Sequence, residues 1–141
     1  MKKLLLILFS FSLLVSCSES EKKLTLKNPE VFSFYVDDSW EVTATVFAEG
    51  FTVEKNGDSY SANLFYQIDL VTPKGDTIKQ IDLGTIEEIQ KEELEEVKIE
   101  SQIALGSNFD EGDYKLVFDV RDLISEQSAK AEKELKLIKE E

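Results

Sequence analysis

Twenty-nine Asp and Glu carboxylates, one cysteine and no histidine make up the reactive inventory of this 141-residue sequence. With Cys17 as the one thiol, Ser–His and Cys–His nucleophile systems are excluded. Zinc, copper, haem and iron–sulfur sites lose their usual ligands. Carboxylate chemistry remains. An Asp/Glu pair could hydrolyse a glycosidic bond, although a small chain of short strands leaves little room for a deep cleft. Asn108, Asp110, Glu111 and Asp113 could offer oxygens to calcium. Their spacing does not match an EF-hand loop, and turn chemistry alone accounts for them. No metal or other cofactor is expected. Glu87, Glu88, Glu92, Glu93, Glu95, Glu96 and Glu100 form an acidic run. It reads as a solvated surface, with docking of a basic partner as the functional alternative.

The cysteine has its own context. Lys2 and Lys3 precede an apolar run from Leu4 to Val15, and Leu14-Val15-Ser16 leads into Cys17. This is the layout of a secretory signal. The apolar run is about a dozen residues, too short for the roughly twenty that a membrane span needs. Leu14-Val15-Ser16-Cys17 resembles the lipobox of bacterial lipoproteins, with Bacteroidota-type features in the nearby Glu19 and Glu21. The resemblance implies cleavage before Cys17, diacylglyceryl attachment to its sulfur and acylation of its amino group. Two or three acyl chains hold a protein firmly on a bilayer, where one holds only marginally. Ser18, rather than an aspartate, follows the cysteine. In two-membrane bacteria this resembles an outer-membrane address, on either the periplasmic or the surface side.

Removing residues 1–16 leaves 141 − 16 = 125 residues, enough for one domain with a real core. The net charge of −13 includes Lys2 and Lys3, so the mature chain carries −13 − 2 = −15. Such a charge argues against nucleic acid, whose partners are basic. It also argues against lying flat on anionic lipid.

Residues 17–29 are polar with little pattern and read as a tether, Pro29 marking the start of the domain. Beyond it, apolar residues recur with period two between turn signals, the pattern of strands. Phe32, Phe34 and Val36 share one face of the first strand, and Val42, Ala44, Val46 and Ala48 line the inner face of the second. Gly50-Phe51 breaks that alternation and suggests a bulge. Asn56-Gly57-Asp58 is a turn. Leu64, Tyr66, Ile68 and Leu70 alternate against Asn63, Phe65, Gln67 and Asp69. After the Thr72–Asp76 turn comes a short edge strand over Thr77–Leu83. A loop or single helical turn is expected near Glu87–Glu92, where Glu and Lys favour helix, then a strand from about Glu95 to Leu105. Tyr114, Leu116, Phe118 and Val120 line the clearest strand. Ser128–Ile138 fits helical spacing and also, apart from Lys133, a strand.

Phe109-Asp110-Glu111-Gly112-Asp113-Tyr114-Lys115-Leu116-Val117-Phe118-Asp119-Val120-Arg121-Asp122, with Ser125 and the final alternating segment, resembles the last hairpin of bacterial immunoglobulin-like domains. The resemblance implies a Gly-x-Tyr opening strand F, an Asp closing it, and Ser128–Ile138 as strand G. The expected fold is all-β: a single immunoglobulin-like antiparallel β-sandwich of about seven strands over residues 30–141, preceded by the signal peptide.

Arg121, the only arginine, falls with Lys115, Val117 and Asp119 on the outer face of strand F. If strand C pairs beside it, Phe65 and Gln67 join that face, and Phe65, Gln67, Val117 and Arg121 become a candidate binding face. Cross-strand ion pairing beside an incidental ring is the plain alternative. Trp40 is expected to anchor the core or cap a sheet edge. Together these readings give a lipid-anchored envelope protein without catalysis, binding or scaffolding a protein or glycan. A small envelope hydrolase using an Asp/Glu pair and an accessory subunit of a transport or secretion complex are the rivals.

Overall fold

The structure, a computed structural model, describes residues 22–140. Residues 1–16, expected as a signal peptide, and Cys17 lie outside the described residues. Eight strands follow one another: β1 (Thr25–Val36), β2 (Ser39–Glu49), β3 (Glu54–Asn56), β4 (Ser59–Val71), β5 (Thr77–Gln90), β6 (Glu96–Leu105), β7 (Gly112–Asp122) and β8 (Ser128–Leu137). They form two antiparallel sheets. One has the order β1-β2-β6, and the other contains β3, β4, β5, β7 and β8. β5 covers one edge of β4, while β7 and the three-residue β3 divide the other, opposite Leu64–Val71 and Ser59–Ser61. Setting β3 aside, β1-β2-β6 faces β5-β4-β7-β8. This is the A-B-E and C′-C-F-G order of an immunoglobulin-like sandwich.

Period two sets the core. Trp40, Val42, Ala44, Val46 and Ala48 of β2 are buried against Leu64, Ile68 and Leu70 of β4 and the inward residues of β6, β7 and β8. Trp40 is fully buried, and its indole Nε1–H donates to the Phe109 carbonyl at 3.0 Å. The final segment is a strand. Tyr114 pairs with Leu135 and Gly112 with Leu137, and both leucines are buried. The ladder β7 offers outweighs the helix propensity of the Ala, Lys and Glu in that segment, because paired backbone groups are satisfied and an inward apolar row is buried. Tyr114 opens β7 with its hydroxyl donating to the Asp110 carbonyl at 2.9 Å. This is the back-bond of a tyrosine corner.

Three boundaries differ from the sequence reading. The tether expected over 17–29 ends earlier, since β1 begins at Thr25 and Leu24 is buried with its N–H donating to Gln127. Pro29 lies inside this strand. Asn28 has a φ of 50° and the register shifts between Lys27 and Glu30, so the proline falls in a bulge on an edge strand, where a missing N–H is tolerated. β5 runs on past Leu83 to Gln90, so Glu87–Gln90 is strand and neither loop nor helical turn. Its pairing of Asn63 with Glu87 and Ser61 with Ile89 supplies backbone partners that overrule local helix preference. At Gly50 the second strand ends rather than bulges. Gly50 takes a φ of 74°, and Phe51 drops into the core.

Candidate functional site

The outer face of the five-stranded sheet assembles the residues singled out in the sequence. Phe65 lies opposite Arg121, Gln67 opposite Asp119, and Asp69 opposite Val117. Phe65, Gln67, Val117 and Arg121 therefore share one patch of two adjacent strands. Its polar groups are largely satisfied among themselves. Gln67 donates to Asp69 at 2.8 Å, and Asp69 also accepts the Gln80 N–H at 2.8 Å. Gln80 holds a φ of 58° within a bulge of β5. Lys115 pairs with Glu132 at 3.0 Å and Lys130 with Asp119 at 3.5 Å. Exposed pairs of this kind contribute about 0–1 kcal/mol. Phe65 is half-buried, and Arg121 is the exposed cation at its side.

The opposite face has a different character. On β1 the residues that share a side, Phe32, Phe34 and Val36, point outward and are 58%, 64% and 50% exposed. Their alternates Val31, Ser33 and Tyr35 turn toward the seam with β8, where the Ser33 hydroxyl donates to the Lys136 carbonyl and Lys139 stands over the Tyr35 ring. The sequence grouped the three apolar residues correctly but carried no sign of which way they face, since both sides of β1 hold large apolar groups. Phe32 lies opposite Thr43 and Phe34 opposite Glu41 on β2. Ile138, 61% exposed, shares a hollow with Phe34 and Val36.

Polar groups, one of them buried, join the two sheets. Ser101 of β6, buried, donates to Asp82 of β5, which also accepts the Tyr66 hydroxyl at 3.2 Å. Burial, then the charge of Asp82 and this bond, raises the Tyr66 pKa. Gly84 leaves room for the ring, for a Cβ there would lie 2.9 Å from Tyr66. Ser101 falls between the inward Ile99 and Ile103, so the parity of the strand already marked it as a polar residue facing the core.

Asp76, Asp110 and Glu111 border one hollow between the Thr72–Asp76 turn and the loop before β7. Glu111 accepts the Lys139 N–H at 2.6 Å, and the Asp110 carbonyl is taken by Tyr114. Among the described residues, no group of three or more His, Cys, Asp or Glu is placed to hold a metal ion. The acidic run is split. Glu87 and Glu88 lie on β5, Glu92, Glu93 and Glu95 on the connection, and Glu96 and Glu100 on β6. No described helix is long and apolar enough to cross a membrane.

Neither a family model nor a curated protein matches this chain. Among solved structures, the crystal structure of a protein from Archaeoglobus fulgidus resembles it with a TM-score of 0.37 at 9% sequence identity, the match covering 82% of this chain and 98% of that one.

Proposed function

We propose that this chain is a lipid-anchored binding module of the bacterial envelope, held at the outer membrane through Cys17 and recognising a partner without catalysis. The observation that carries the binding reading is the exposed row Phe32, Phe34 and Val36 on one side of an edge strand. Water-facing aromatic rows are costly and invite aggregation unless something covers them. The lipobox supports the anchor, and the charge of the mature chain supports a domain standing off the lipid rather than lying on it. The partner is an envelope protein or glycan.

Two measurements test this reading. Cys17→Ser moves the protein from the membrane fraction to a soluble or uncleaved form, and unchanged detergent partitioning refutes the anchor. A photo-reactive phenylalanine analogue is placed at Phe34, at Arg121 and, as a control, at the exposed turn residue Lys74 of the full chain in its envelope. Discrete adducts at 34 or 121 and none at 74 support binding. No adduct at either position refutes it.

A further inference from the structure

The three-stranded sheet presents an unusual pairing of aromatic and acidic surface on its outer face. β1, β2 and β6 together carry five acids, Glu30, Glu41, Glu49, Glu96 and Glu100, and two lysines, Lys27 and Lys98, so their strands sum to 2 − 5 = −3. Both lysines are already engaged, Lys27 by Glu49 and Lys98 by Glu100. Among the described residues, neither remaining acid beside the apolar row is in an ion pair. Glu41 lies directly opposite Phe34, and Glu30 is the next outward residue of β1 before Phe32. Asp37 and Asp38 follow Val36 in the turn. The apolar strip is thus bordered by negative charge on its β2 side and in the turn, while on its β8 side Phe32 shares a hollow with two acids and two lysines, Glu132, Glu134, Lys133 and Lys136; its exposed area is on the order of 300 Å².

We propose that this face docks a basic segment of a protein partner, with Phe32 and Phe34 receiving its apolar or guanidinium surfaces and Glu30 and Glu41 its cations. The proposal rests on the binding reading above. Cations favour aromatic faces, most of all when carboxylates stand beside them. Charge also decides against the other occupants. A second copy of a chain bearing −15 after signal removal would set these acids against like charge. The anchoring bilayer is the wrong surface, because Phe34 lies nine residues along β1 from Thr25, roughly 30 Å from the tethered end, and an anionic leaflet repels Glu30 and Glu41.

The test uses the full chain in its envelope with the photo-reactive analogue at Phe34. Glu30→Lys with Glu41→Lys should cut the adduct at least about tenfold. Glu96→Lys, on the same sheet but away from the strip, should leave it unchanged. Raising sodium chloride should weaken the adduct, and the peptide joined to position 34 should carry a net excess of Lys and Arg. Both reversed glutamates are exposed, and an unchanged melting temperature separates lost docking from lost folding. An adduct that survives the double reversal overturns the proposal. So does one of twice the chain's own mass, one removed by glycan digestion, or one equally sensitive to Glu96→Lys. An adduct at Arg121 alone defeats this proposal while leaving the binding reading intact, and none at either position defeats both.

Discussion

Asp122 accepts the backbone N–H of Thr52 at 2.6 Å through Oδ2, tying the end of β7 to the segment that crosses from one sheet to the other. The carboxylate is 1% exposed and is surrounded by donors. Its Oδ1 takes the N–H groups of Ile124 and Ser125, and its Oδ2 also takes the Ser125 hydroxyl at 2.9 Å. One charge therefore fixes three separate backbone positions. Buried charge of this kind is tolerated because every lone pair finds a donor.

The corner should make stability depend on pH. Burial pushes the Asp122 pKa up, but the bonds from Thr52, Ile124 and Ser125 together push it down further, leaving it below the usual carboxylate value. A group whose folded pKa is depressed stabilises fully above its unfolded value, near pH 4, and loses that contribution as pH falls through the folded one. Asp122→Ala leaves buried donors unpaired and should cost about 3 kcal/mol at pH 7 in urea unfolding. The gap between the two proteins should narrow below about pH 4. A gap that is constant from neutral to acid pH would show that the charge is not what holds the corner.

Gly50 should be intolerant of any side chain for two separable reasons. Its φ of 74° favours glycine, and an added Cβ would collide with the Lys23 carbonyl. Gly57 shares the first problem, with a φ of 60°, but not the second, since nothing lies within 4 Å of its Cβ position. Gly57→Ala should then cost about 1 kcal/mol from backbone strain alone. Gly50→Ala should cost at least about 2 kcal/mol more, as the chain at Lys23–Leu24 is pushed off the domain. Equal losses in urea unfolding would mean that residues 23 and 24 are not packed as described.

These two sites show what the sequence carried and what it did not. Asp122 has the inward parity of Tyr114, Leu116, Phe118 and Val120, so a buried carboxylate at the end of that strand was legible from period two. The donors that satisfy it, above all Thr52, are 70 positions away and could not be read from local pattern. Strands with one clean apolar side, β2, β4, β6 and β7, were legible for the same reason. β1 was legible as a strand over Glu30–Val36 but not in which side faces the core, because Leu26, Val31 and Tyr35 are partly buried while Phe32 and Phe34 are exposed, and hydrophobicity alone does not rank the two sides. The far half of β5 was hidden by its glutamates, whose helix preference yields to the ladder with β4. The Phe65, Gln67, Val117 and Arg121 patch followed from parity plus the pairing of β4 with β7.

Tyr114→Phe isolates the bond to the Asp110 carbonyl without changing the packing of the ring against Phe109, whose centroid lies 6.3 Å away. A single neutral hydrogen bond is worth about 1 kcal/mol net. The variant should lose roughly that much, and calcium should not change the melting of either protein, because a ligand that binds only the folded state must raise it. A calcium-induced rise of several degrees would bring the Asn108–Asp113 loop back as a metal site.

Leu137→Asp bears most directly on the architecture. In β8, Leu135 and Leu137 both face the core, and Leu137 is fully buried while its neighbour Ile138 is 61% exposed. A helix over the same residues would set Leu135 and Leu137 about 200° apart, with Leu137 toward solvent. In the strand, the new carboxylate is buried opposite Gly112, which has no side chain to pair with it. The cost should be several kcal/mol in urea unfolding, the penalty of an unpaired buried charge added to the lost apolar contacts. Ile138→Asp, one residue on, should stay within about 0.5 kcal/mol of the parent protein. The pair of variants separates the two geometries because a helix would bury Ile138 beside Leu135 and expose Leu137, reversing the expected order. Near-neutral behaviour of Leu137→Asp would remove β8 from the sheet and leave β7 with a bare edge.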